Sequence, residues 1–248
     1  MNLTIDDRRW LKRNYRKLNF KFEKDSEIIE GPFEFKASFD RITKLYFVNP
    51  TVNNRVDLNY IEDAYEIRII IPTKQSDFPI VQEIAQRIKN LAKKLGKQSI
   101  DLHIYENGIV CATGPFDEPR NFSLVNFING PVLQFFYDQS YYERFDQWPR
   151  DTYSHGYLGL IENYFDNFKM DRKGLEKKCI KKLIESDDWK IIKKYLESDG
   201  DIKGYWLCIC GSNLNFRTCH PKVFEGLLQL RNYYKVRGRG LITLLVAG

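Results

Sequence analysis

Apolar residues recur along this chain with two different periods, and the change from one to the other lays out its elements. Ile5, Trp10, Leu11, Tyr15 and Leu18 fall at helical spacing behind the acidic pair Asp6 and Asp7, which predicts a first helix. After Gly31-Pro32 the period drops to two: Phe33, Phe35, Ala37 and Phe39 alternate with Glu34, Lys36 and Ser38, the pattern of a strand buried on one face. Ile42 to Val48 and Tyr65 to Ile71, the latter stopped by Pro72, continue an antiparallel meander.

Beyond Pro79 the period lengthens again. Ile80, Ile84, Ile88, Leu91, Ala92 and Leu95 fit a helix ending at Gly96, with an extended first half as the open alternative. Leu102–Tyr105 and Ile109–Cys111 read as two short strands joined at Asn107-Gly108. If that turn has two residues, Ile104 opposes Cys111 and His103 opposes Ala112, so imidazole and thiol project to opposite faces. Ser123 to Phe145 has helical spacing interrupted at Gly130-Pro131, which predicts a break. Further helices are expected over Leu158–Phe168, Leu175–Ile184 and Trp189–Leu196.

Composition changes this picture only in its chemistry. The first ten residues are polar and no apolar run approaches the ~18 residues of a spanning helix, so neither export nor a membrane partner is expected. Five cysteines, three of them within twelve residues, point to a reducing cytoplasmic setting with a metal or a catalytic thiol, not to disulfides. The formal charge of +6 is spread along helical stretches; solvated helix faces account for it, and nucleic acid is not among the expected partners.

Cys208-Ile209-Cys210-Gly211-Ser212 and Cys219-His220 supply two ligand pairs joined by a loop short enough to fold back. Four thiol and imidazole donors leave no open coordination position, which predicts a structural zinc site of Cys208, Cys210, Cys219 and His220. The string resembles the SEC-C motif at each ligand position, although Asn213, Leu214 and Asn215 replace most of that motif's basic loop.

Of the other two cysteines, Cys179 lies on an expected helix as a packing residue, whereas Cys111 sits where a strand leaves for the loop Ala112-Thr113-Gly114-Pro115, a setting suited to a nucleophile. Tyr65 to Pro72, Phe78-Pro79, His103, Gly108 and Cys111 together resemble bacterial relatives of ubiquitin-conjugating enzymes. The match is closest to those of short CBASS-type antiphage operons, which are similar also at Trp148-Pro149, Ser154-His155-Gly156 and Gly159-Leu160. The resemblance implies an α+β fold: an antiparallel meander sheet flanked by helices over residues 1–170, a helical extension 171–204, the zinc knuckle and a helix over 205–236, and a tail 237–248. It implies that Cys111 forms a thioester with the C-terminal glycine of a partner, a cyclic-oligonucleotide synthase reached through its tail, and passes the acyl group to a lysine of an acceptor protein. His103 matches the family's histidine, but Ile104 and Tyr105 replace its Pro-Asn, so Tyr105, Asn107 or backbone amides must stabilise the oxyanion. A non-catalytic binding protein or nucleic-acid-associated adaptor on the same scaffold is the alternative. The tail Gly238 to Gly248 reads as a final strand, a partner-binding segment or a mimic of a donor tail.

Overall fold

In a computed structural model, residues 3–23, 26–50, 59–72, 79–113, 122–150 and 152–237 are described. Contacts divide the chain into two compact units, 1–151 and 152–248. The sequence suggested a division at 170; by contact the helix Gly156–Lys169 sides with the second unit.

The first unit opens with α1 (Ile5–Asn14), started by a reciprocal cap in which the Asp7 amide donates to Thr4 Oγ1 at 3.1 Å and the Thr4 amide to Asp7 Oδ2 at 2.9 Å. A five-stranded antiparallel sheet follows: β1 (Asn19–Glu23), β2 (Ser26–Asp40), β3 (Leu45–Val48), β4 (Asn59–Ile71) and β5 (Ile80–Glu83). The period-two face of β2 is buried at Phe33, Phe35, Ala37 and Phe39, and β4 buries Ile61, Tyr65, Ile67, Ile69 and Ile71 beside it. Phe33 stands opposite Tyr65 and Ile29 opposite Ile69. β4 pairs with β2 along residues 27–39, so β1 and β3 both take the other edge of β2, at residues 26–30 and 37–40, and leave 31–36 between them. β5 lies beyond β4.

The region 79–96 is not one helix. Val81 and Glu83 point inward with period two in β5, and only Arg87–Lys94 forms a helix, α2. Its N-terminal amides find a partner in the buried Glu83 carboxyl, which accepts from Ile88 N at 3.4 Å. Pro131 does not break the next helical stretch. α3 (Leu124–Phe127), a π turn (Ile128–Val132) and α4 (Leu133–Phe145) run on end to end, the wider turn accommodating the proline's missing donor.

α4 lies against the sheet, with Phe136 4.7 Å from Tyr65 and 5.8 Å from Phe33 between ring centroids. Polar pins join it to its neighbours. Asp63 of β4 accepts from both Arg87 terminal nitrogens at 2.9 Å and from Ser140 Oγ at 2.7 Å, while the Arg87 guanidinium covers the Tyr65 ring at 4.4 Å. Burial alone would raise the Asp63 pKa; the Arg87 and Ser140 bonds outweigh it and hold the carboxyl below its usual range.

In the second unit α5 (Gly156–Lys169) packs on α6 (Lys173–Glu185) and on α9 (Pro221–Arg237), with α7 (Trp189–Leu196) and the short α8 (Phe216–Cys219) completing it. Its core includes Ile161, Tyr164, Leu183, Ile192, Val223 and Leu227. Cys179 belongs to that core: its sulfur donates to Asn163 Oδ1 at 3.3 Å, and burial pushes the thiol up to about 11. Among the described residues no helix is long and apolar enough to cross a membrane.

Candidate functional site

Two candidate sites, one in each unit, hold the residues singled out from the sequence. In the second, the strand-like pairing of Leu207 with Asn215 folds the loop back, with Cys208 N donating to Leu214 O at 2.7 Å. Asn215 then caps α8 by accepting from Thr218 N at 3.0 Å, and the far end of that single turn delivers Cys219 and His220. The ligand atoms of Cys208, Cys210, Cys219 and His220 all lie within 4.8 Å of one another. Cys219 Sγ is 3.1 Å and Cys208 Sγ 3.4 Å from His220 Nδ1, and Cys210 Sγ is 3.5 Å from Cys219 Sγ. A tetrahedral zinc shell of three sulfurs at about 2.3 Å and one nitrogen at about 2.0 Å has edges of roughly 3.5 to 3.8 Å. The four donors therefore fit that ion with small adjustments. Burial pushes the Cys208 thiol up to about 12. Burial acts the same way on Cys210, but there the Ser212 hydroxyl and amide and the adjacent sulfurs prevail and bring it down to about 6.

In the first unit, residues 108–110 extend the sheet past β5: Glu83 N donates to Gly108 O and Val110 N to Val81 O, both at 2.9 Å. The register of the Asn107-Gly108 turn differs from the two-residue expectation. Tyr105 N donates to Ile109 O at 2.8 Å and Ile104 pairs with Val110, so the loop is Glu106-Asn107-Gly108 and Cys111 stands opposite His103, whose carbonyl accepts the Cys111 amide at 2.9 Å. The local cause is Asn107, whose Oδ1 accepts from Ile109 N at 3.1 Å, together with Gly108 at φ +81°, a left-handed residue that closes a three-residue loop. A Cβ on Gly108 would meet the Glu83 carbonyl oxygen at 2.8 Å.

This register buries Ile104 and Val110 and gives Tyr105, Ile109 and Cys111 the other face. His103 and Cys111 are thus paired through their backbones, but His103 is a left-handed residue (φ +58°) closing a 3-10 turn, so strand alternation does not set the direction of its ring. The His103 ring itself lies edge-on to Trp148, with centroids 5.3 Å apart. Cys111 is partly exposed. Burial raises its thiol pKa, and a hydrogen bond from the Tyr105 hydroxyl offsets part of that rise. Tyr105, 52% exposed, is in turn pushed up, first by the Cys111 charge and then by burial.

Of the four residues assigned to transfer chemistry, Tyr105 lies beside the Cys111 sulfur, His103 meets Cys111 through its backbone carbonyl with its ring against Trp148, and the Asn107 side-chain carbonyl serves the turn. Two neighbours escaped the sequence reading. Gln82 Nε2 donates to Asn107 O at 3.4 Å, and Glu83, 2% exposed, has its carboxyl pKa raised chiefly by burial, while its backbone carbonyl faces Gly108. Glu83 was visible as a lone acid within an apolar run. The loop 114–121 after Cys111 and the tail 238–248 lie outside the described residues. Compared with protein-family models, with curated proteins and with solved structures, the chain matches none.

Proposed function

We propose that the first unit is a cysteine acyltransferase of ubiquitin-conjugating type with Cys111 as nucleophile. The observation that carries this reading is a half-exposed sulfur at the end of a sheet extension, with the Tyr105 hydroxyl bonded to it. Cys111 attacks the activated C-terminal glycine carbonyl of a donor protein, a thioester forms, and the donor's former leaving group departs with the thiol proton. An acceptor lysine amine then attacks the same carbonyl, forms an amide and returns the thiol. Tyr105 takes the oxyanion role, because its hydroxyl is the side-chain donor that lies beside Cys111. By resemblance the donor is a cyclic-oligonucleotide synthase of an antiphage operon, entering by its C-terminal tail, and the setting is the cytoplasm. In the second unit Cys208, Cys210, Cys219 and His220 would hold a structural zinc ion that takes no part in transfer.

The test is incubation with a synthetic peptide ending in a glycine thioester, read on non-reducing gels. The wild type should form an adduct that dithiothreitol removes, Cys111→Ser one that resists it, and Cys111→Ala none. An adduct surviving in a folded Cys111→Ala variant removes the role of this thiol. A second reading, a non-catalytic binding protein, is favoured by the raised thiol pKa, since a protonated sulfur is a poor nucleophile. Absence of any adduct in the wild type would select it.

A further inference from the structure

The sequence alone reads the basic residues as solvated helix faces. Division of the chain into its two units changes that reading. Residues 1–151 contain 22 Lys and Arg and 22 Asp and Glu, whereas residues 152–248 contain 17 and 11, so the whole formal charge of +6 belongs to the second unit. Within that unit α6 carries more basic residues than any other helix, five lysines against two glutamates. The exposed side of α6 presents Lys177, Lys178, Lys181 and Lys182 with Glu185 beside them, while Glu176 is half-buried and Cys179, Ile180 and Leu183 turn inward. Lys190 and Lys194 add to it from α7. Among the described residues, Lys177, Lys181, Lys190 and Lys194 have no carboxylate within 4.0 Å.

We infer that this lysine face binds the phosphate backbone of a nucleic-acid duplex without regard to sequence. Lys177 and Lys181 stand one turn apart, about 6 Å along the helix axis, and their neighbours 178 and 182 form a second row beside them, a charge density comparable with one phosphate per ~3.4 Å of strand. The exposed positions of α6 between Lys177 and Glu185 carry no aromatic ring on which an unpaired base could stack, which favours a duplex over a single strand. They carry no apolar side chain either, and the apolar face of α6 is already spent against α5, so α6 itself offers nothing to a bilayer. Lysines reaching phosphates from one helix face position a duplex but read no bases.

The test uses the full chain and a fluorescent 20-base-pair DNA duplex, with anisotropy read between 50 and 200 mM salt. Four phosphate contacts predict a log–log salt slope near −3.6 and an affinity loss of roughly 100-fold across that range. Lys177→Glu with Lys181→Glu should flatten the slope by about two and weaken binding at 50 mM by at least ~10-fold. Lys93→Glu with Lys94→Glu, exposed in the first unit, should leave both unchanged. The milder pair Lys177→Gln with Lys181→Gln guards against misfolding, checked by circular dichroism. The inference is overturned by no duplex binding at 50 mM salt, by equal losses from the two charge-reversed pairs, or by tighter binding to phosphatidylserine vesicles than to the duplex.

Discussion

Replacing Gly108 with alanine isolates the contact that sets the register under Cys111. Two costs arise. A non-glycine residue at φ +81° costs about 1 to 2 kcal/mol. The new Cβ also lies 2.8 Å from the Glu83 carbonyl oxygen. That oxygen belongs to a strand residue paired with Ile67, so it cannot retreat cheaply, and overpacking of this kind adds about 1 to 3 kcal/mol. The sum is about 2 to 5 kcal/mol. Gly96 provides the reference: its φ is +66°, but a Cβ there meets nothing within 4 Å, so Gly96→Ala carries only the conformational cost. In a unit of this size each kcal/mol shifts Tm by roughly 2 to 4 °C, so calorimetry should place Gly108→Ala at least ~2 °C below Gly96→Ala. Equal shifts for the two variants would refute the claim that Gly108 is held against β5.

Three further outcomes follow from the same geometry. Glu83 has a raised folded-state pKa, so its contribution to stability is fullest below the ordinary carboxylate range and is lost as pH rises through the shifted value; Glu83→Gln should flatten that fall, read as the urea midpoint at pH 4.5 and 7.5, and an unchanged slope would count against it. Cys219→Ser should lower bound zinc from about one ion per chain and weaken its affinity by more than roughly 100-fold; unaltered metal content by mass spectrometry would exclude Cys219 as a ligand. Iodoacetamide should modify Cys111 more slowly than a free thiol at pH 7.5 and fastest at alkaline pH, and Tyr105→Phe should slow it further because the lost hydrogen bond favours the thiolate; faster labelling in the variant would reverse that assignment.

The elements that could be read from sequence are those with one consistent period. Phe33 to Phe39 announces β2 and the Tyr65 to Ile71 run announces β4, because each buries one face against neighbours close in the chain. Ile80, Ile84 and Ile88 misled because they satisfy a helical period while the residues that turn inward in β5 are Val81 and Glu83. The π turn at Pro131 leaves no periodic trace, since five residues change pitch only once. At Asn107-Gly108 the dipeptide was a correct turn signal, but the hydrogen bond from Ile109 N to Asn107 Oδ1 moved the pairing by one residue. The cysteine–histidine group was legible because its ligand spacing is its geometry. The Asp63–Arg87–Ser140 junction was not, because its members are brought together only by tertiary packing.

The interval of β2 between β1 and β3 bears on how this sheet avoids its own kind. A strand bordered on one side for only part of its length offers spare backbone to any extended segment that drifts past, the first step toward runaway sheet growth. Here the interval is confined to residues 31–36, bounded at both ends by β1 and β3. Pro32 removes a donor from it, Glu34 and Lys36 post opposite charges along it, and Asn49 N already claims the Lys36 carbonyl at 2.8 Å. Splitting the border between two short strands thus leaves a notch that a foreign chain can touch but not extend.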